Sequence, residues 1–141
     1  MLITRRRYRP PAHPAQRREK RVHDVMTSFV VTVSSEASLA RAARLIDQHH
    51  ITGLPAVDAD GRVVGVISQT DLLREAIDDR PGAQSWRYRR VADAMTRPAL
   101  TIGEGASAEA ARRKMALHHV HRLLVLDTHG RPRGIVTLGN L

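Results

Sequence analysis

Residues 49–72 read HHITGLPAVDADGRVVGVISQTDL, and residues 118–141 read HHVHRLLVLDTHGRPRGIVTLGNL. Both stretches open on a histidine pair and carry an aspartate followed three residues later by Gly-Arg (Asp58 and Gly61, Asp127 and Gly130). Both then place a glycine before an apolar run (Gly65, Gly134) and close on leucine (Leu72, Leu141). Carried toward the N-terminus, the same 69-residue offset lays Val22–Leu72 on Val91–Leu141 without a gap, and 17 of 51 positions are identical. Unrelated sequences of ordinary composition would share roughly 3–4. The chain is therefore one unit written twice.

Each copy has the same local pattern. Val30–Val33 and Ala99–Ile102 are short β-rich runs. Ser35 and its counterpart Glu104 lead into alanine-rich stretches, Glu36–His49 and Gly105–His118. Within the first of these, Leu39, Ala42, Ala43 and Ile46 recur at helical spacing, with serine available as a cap. Gly53–Val57 begins a strand, Asp58-Ala59-Asp60-Gly61 signals a hairpin turn, and Val63–Ile67 completes the hairpin. Asp71–Asp78 reads as a second helix capped by Ser68 or Thr70. The order per unit is β-α-β-β-α, an α/β (α+β) class. The segment 79–90, with Pro81-Gly82, is the linker, and its Trp86 and Tyr88 are expected to dock it onto the body. The second copy stops at Leu141, where its final helix would begin. Either the native protein continues or it has lost that helix; the former is expected, because a helix missing from one of two matched halves leaves apolar surface uncovered.

Composition narrows the classes. The apolar fraction is 42%, ordinary for a globular domain, and no apolar run approaches the roughly 18 residues of a membrane span. There is no cysteine, which excludes disulfides, thiolate metal sites and a cysteine nucleophile; a cytoplasmic location is expected. Of the net charge of +9, residues 1–21 hold +7 and the remainder only +2. That arginine- and proline-rich segment has little to bury and is expected to be a disordered basic arm. Nucleic acid could be contacted only through it, because the body lacks a basic face. No G-x-S-x-G elbow, P-loop or G-x-G-x-x-G is present, so no enzyme class is indicated. His118, His119 and His121 leave a helix and enter a strand, so their side chains diverge and no metal site is expected.

The ordered set V-x-D-x-M-T, H-H-[IV]-x-x-[LP], D-x-x-G and G-[IV]-[IV]-[ST]-x-x-[DN], present twice over residues 22–141, resembles a tandem pair of cystathionine-β-synthase (CBS) domains, a Bateman module. The resemblance implies repeat 1 over residues 22–78 and repeat 2 over 91–141, packed through their sheets with pseudo-two-fold symmetry. It further implies a regulatory rather than catalytic role, a homodimer, and clefts that hold adenosine-containing ligands: AMP, ADP, ATP, S-adenosylmethionine or NAD.

Carried over by residue, the first cleft would combine Val66, Ser68 and Asp71 with Pro98, Leu100, His121 and Arg122. Asp71 would take the ribose, Ser68 a ribose or phosphate oxygen, and His121 and Arg122 the phosphates. The second would combine Ile135, Thr137 and Asn140 with Phe29, Val31, Thr52 and Gly53. There Asn140 replaces the acid and Thr52-Gly53 replaces the cationic pair, so this cleft is expected to be weak or empty. Two plainer assignments stand beside these: Asp71 as the first-turn acid of a helix, and Arg122 as a surface arginine. A ligand-free interaction module, with the arm contacting an acidic partner or nucleic acid, is the alternative function.

Overall fold

The computed structural model describes residues 19–28 and 30–141. The elements are α1 (Val22–Val25), β1 (Val33–Ser34), α2 (Leu39–His49), β2 (Gly53–Val57), β3 (Val63–Ser68) and α3 (Gln69–Ile77). They are followed by α4 (Val91–Ala94), β4 (Thr101–Gly103), α5 (Ala108–His118), β5 (Arg122–Leu126) and β6 (Pro132–Thr137). Each copy forms a three-stranded sheet, β1-β2-β3 or β4-β5-β6, whose first pair is parallel and second antiparallel. This is the mixed α and β architecture read from the repeat. No helix among the described residues is long and apolar enough to cross a membrane.

Local chemistry explains the boundaries. The first long helix of each copy starts three residues later than expected, because the capping serines are Ser38 and Ser107. Their hydroxyls accept from Arg41 N at 3.1 Å and Ala110 N at 3.0 Å, satisfying amides that lack an intrahelical partner. Leu39, Ala42, Leu45 and Ile46 face the first core; Ala108, Ala111 and Met115 are the buried residues of α5. Both helices end on the second histidine of the pair, His50 (φ 52°) and His119 (φ 53°), in the left-handed region. The hairpin turns are held alike. Asp58 Oδ1 accepts from Asp60 N at 2.9 Å and Arg62 N at 3.0 Å, and Asp127 Oδ1 from His129 N at 2.8 Å and Arg131 N at 2.9 Å. Gly61 (φ 81°) and Gly130 (φ 77°) supply the positive φ that these turns require.

Other segments differ from the sequence reading. The first strands are shorter and lie two to three residues later than the β-rich runs. Helix α3 begins at Gln69 with Ser68 as its cap, and the matching stretch of the second copy is a single 3₁₀ turn, Leu138–Asn140. In the linker, Trp86 packs on the first core as expected. Tyr88 does not dock: it is 68% exposed, being carried outward on the turn that seats Trp86. Residues 1–18 of the basic arm, and Phe29, lie outside the described residues. Lys20 and Arg21, grouped with the arm by charge, are hydrogen-bonded to the body: Lys20 C=O accepts from Ala108 N at 2.8 Å, and the Arg21 guanidinium donates to the Gly105 carbonyl at 3.2 Å.

The largest departure from a simple repeat is an exchange of heads. Val22, fully buried, belongs to the core of the second copy, with Ile102, Met115 and Leu123; Val91, equally buried, belongs to the core of the first. Val22 N donates to Ala106 C=O and Val91 N to Ala37 C=O, both at 2.8 Å. Farther on, Thr27 forms a two-bond backbone pair with Ile135 of β6 (2.9 and 2.9 Å), and Thr96 forms one with Val66 of β3 (2.8 and 2.9 Å). Each head thus adds an edge to the sheet of the other copy. The glycines shared by both copies make room for it. A Cβ on Gly65 would lie 2.7 Å from Met95 Sδ and 2.9 Å from the Thr96 carbonyl. One on Gly134 would strike the Thr27 carbonyl and lie 2.9 Å from Met26 Sδ.

Candidate functional site

Exchange of the heads and pairing of the hairpin turns bring the two sheets together. Val63 N donates to Gly130 C=O at 3.0 Å, and Arg131 Nε to Asp60 C=O at 3.0 Å. Between the sheets lies a cavity of about 260 Å³ lined by Thr52, Gly53, Leu54, Pro55, Val66, Ser68, Leu100, Arg122, Leu123, Leu124 and Ile135. Under the 69-residue offset, Gly53 answers to Arg122, Leu54 to Leu123, Pro55 to Leu124 and Val66 to Ile135. The cavity is therefore centred on the pseudo-two-fold relation between the copies. It is also asymmetric: Ser68 and Leu100 line it, whereas their counterparts Thr137 and Val31 do not. Its volume sits just below the roughly 300–1,000 Å³ of small-molecule sites, and like them it is apolar with a few polar groups.

Residues assigned by sequence to two clefts thus share one space. From the first set the structure brings together Val66, Ser68, Leu100 and Arg122; from the second, Thr52, Gly53 and Ile135. Arg122 starts β5, opposite Thr137, and its side chain is exposed at the rim. His121 is exposed, and its carbonyl accepts from Leu138 N at 2.8 Å. Pro98 is exposed after a cis peptide bond, and Val31 packs against the first core. Neither lines the cavity. Phe29 is outside the described residues. Among the described residues, no group of three or more His, Asp and Glu side chains is placed to hold a metal ion.

Asp71 lies behind Ser68, 5% exposed, at the third position of α3. Its Oδ2 accepts from Ser68 N and Ser68 Oγ, both at 2.9 Å, while Ser68 Oγ accepts from Asp71 N at 3.1 Å. This is a capping box, so the plainer role of Asp71 is present in full. A further donor comes from the exchanged head: Thr96 Oγ1 reaches Asp71 Oδ1 at 3.2 Å and Oδ2 at 3.4 Å. In the second copy Asn140 Oδ1 accepts from Thr137 N at 3.1 Å and Thr137 Oγ at 2.9 Å. Among the described residues, Thr27 makes no matching bond to Asn140. Thr96 escaped sequence reasoning, although its place in the repeated D-x-M-T was a signal. Leu54, Pro55, Leu123 and Leu124 escaped it too; their strand positions and shared offset could have marked them.

The CBS domain sequence profile matches residues 22–78 and 91–141. The chain belongs to the CBS domain family. Its two repeats are the two matched segments, and the exchanged heads join them into a CBS pair. Among curated relatives, inosine-5'-monophosphate dehydrogenase of Methanocaldococcus jannaschii is 30% identical over 122 residues, 86% of this chain and 23% of the relative. The enzyme of the same name from Mycobacterium tuberculosis is 34% identical over 120 residues, 84% of this chain and 21% of the relative. The chain thus spans little more than a fifth of these proteins. Among solved structures, CBSX2 in complex with AMP is 32% identical with a TM-score of 0.70, covering 85% of this chain and 91% of that one. A CBS domain pair in complex with 5'-methylthioadenosine and S-adenosyl-L-methionine is 26% identical with a TM-score of 0.70, covering 87% and 93%.

Proposed function

We propose that this CBS pair is a regulatory module that binds an adenosine-containing ligand between its sheets and passes occupancy on as a change in the packing of its repeats or of a homodimer, without turning the ligand over. The observation that carries this reading is the cavity on the pseudo-two-fold relation, walled by apolar strand residues of both repeats and bordered by Ser68 and Arg122. Apolar walls suit a purine face, and the planar fork of Arg122 suits a phosphate. Asp71, behind Ser68, would take sugar hydroxyls. The complexes of related CBS structures with AMP, S-adenosyl-L-methionine and 5'-methylthioadenosine support the ligand class. The asymmetry of the cavity supports a single occupied position on the Ser68 side. A cytoplasmic location belongs to the same reading.

Isothermal titration calorimetry with AMP, ATP, S-adenosylmethionine and NAD tests it, with thermal melting alongside. A ligand at 100 times its dissociation constant raises stability by about 2.7 kcal/mol. Absence of heat and of any melting shift with all four at millimolar concentration overturns the reading.

The dimer in this proposal is supported by apolar surface on the helices. Leu73 and Ile77 of α3 are 60% and 73% exposed, and Leu117 of α5 is 75% exposed. Beside α3 a groove of about 340 Å³ is lined by Ala43, Ile46, Leu72, Leu73, Ala76 and Trp86, with Asp47 and Gln69. Apolar area of this kind marks an interaction surface. Sedimentation equilibrium should give a dimer, and Leu73→Glu with Ile77→Glu should shift it to monomer.

A further inference from the structure

Asp71 is a half-committed acid. A carboxylate offers about four acceptor positions on two oxygens. Oδ2 is taken by the Ser68 amide and hydroxyl at 2.9 Å each. Oδ1 is held by the Thr96 hydroxyl at 3.2 Å, which also lies 3.4 Å from Oδ2, and the Arg74 guanidinium is 3.8 Å from Oδ1 on a side chain that is 68% exposed. A ligand presenting two adjacent sugar hydroxyls needs acceptor positions that are at present shared with Thr96.

The two occupants are not equally replaceable. Ser68 caps α3, so removing it leaves helix amides without partners. Thr96 is an exposed residue, and its hydroxyl, once released, is rehydrated without leaving a buried donor unsatisfied. Its backbone remains paired with Val66 by bonds of 2.8 and 2.9 Å. Only the side-chain bond is free to exchange. That bond also joins the two repeats, since Thr96 sits at the end of the head that the second repeat sends onto the first.

We propose that Thr96 is a placeholder on Asp71: a sugar diol displaces its hydroxyl from Oδ1, and this exchange is the contact through which occupancy reaches the 91–96 head. The inference rests on the reading that Asp71 takes the sugar of an adenosine ligand. The second repeat lacks the device, because the single side-chain oxygen of Asn140 already serves both donors of Thr137.

The test is calorimetric titration of AMP and of 2',3'-dideoxyadenosine monophosphate into wild type, Thr96→Val and Thr96→Ser. Thr96→Val removes the competing donor with little change of shape and should bind AMP about threefold to tenfold more tightly. Its affinity for the dideoxy nucleotide should not change, and Thr96→Ser should match wild type for both. Loss of AMP affinity in Thr96→Val, or an equal gain for both nucleotides, overturns the placeholder role while leaving the cavity reading intact. A wild type that binds neither nucleotide overturns the cavity reading, and this inference with it.

Discussion

The ends of β3 and β6 carry the same turn with different chemistry. At both, the last residue of the strand donates its amide and hydroxyl to the side-chain oxygen three places on: Ser68 to Asp71, Thr137 to Asn140. An amide oxygen performs this capping as well as a carboxylate oxygen does. The copies part at the third donor, since Thr96 of the exchanged head reaches Asp71, whereas Thr27 makes no such bond to Asn140 among the described residues. They part again across the cavity, where Arg122 stands opposite the place of Gly53. Structural duties are thus kept in duplicate, while groups that could hold a charged or hydroxylated ligand gather on one side.

The glycines that admit the heads offer the strongest way to break this comparison. Gly134→Ala drives a methyl into the Thr27 backbone carbonyl and should cost about 3 kcal/mol; Gly65→Ala, where part of the obstacle is the flexible Met95 side chain, should cost about 2 kcal/mol. Urea unfolding of the two variants reads the difference. If either alanine proves neutral, the corresponding head does not sit on the opposite sheet.

The ligand-facing groups sharpen the comparison next. Arg122→Ala should weaken AMP binding about tenfold to a hundredfold, the range for losing a charge-assisted bond. Asp71→Ala should weaken it similarly, whereas Asn140→Ala should leave it within about twofold. Calorimetry on the three variants checks this, and equal losses for Asp71→Ala and Asn140→Ala would erase the functional difference between the copies.

Much of the architecture was legible because it is local. The hairpins follow from an aspartate that accepts two turn amides and a glycine with positive φ, and the helices follow from apolar spacing. The first helix start was misplaced by three residues because Ser35 precedes the true cap, Ser38, and both are serines; the second took the same error through the 69-residue offset, with Glu104 in place of Ser35. The exchange of heads was not legible. Asp-x-Met-Thr is identical in both copies, so Val22 and Val91 satisfy either core equally by composition. Which core each enters is settled by non-local pairing with Ile135 and Val66. The cavity was legible by parts: seven of the residues assigned to two clefts line it. They merged because positions near a pseudo-two-fold relation meet their own counterparts.

Smaller effects should be shared by both copies. His50 and His119 both hold a left-handed φ at a helix end, where glycine carries no Cβ penalty. His50→Gly and His119→Gly should each raise stability by about 0.5–1 kcal/mol in thermal melts. Smallest is the acid response of the second hairpin turn. The Arg131 backbone amide, followed by that of His129, holds the Asp127 carboxyl below its usual range. A depressed carboxyl contributes stability that is present above the unfolded value, about 3.9, and is lost as pH falls through the folded one. Asp127→Asn should therefore lower stability slightly near pH 7 and flatten the further loss below about pH 4.

The crossed heads have one more consequence. A polypeptide holding a single repeat would carry its own valine head but lack the foreign one that fills its core and pairs with its last strand. Such a half would be left with an unfilled core and an open sheet edge, and two identical halves could cure both defects only by trading heads. The duplicated chain is thus an obligate exchange between neighbours made intramolecular, and its linker converts a concentration-dependent association into a folding step.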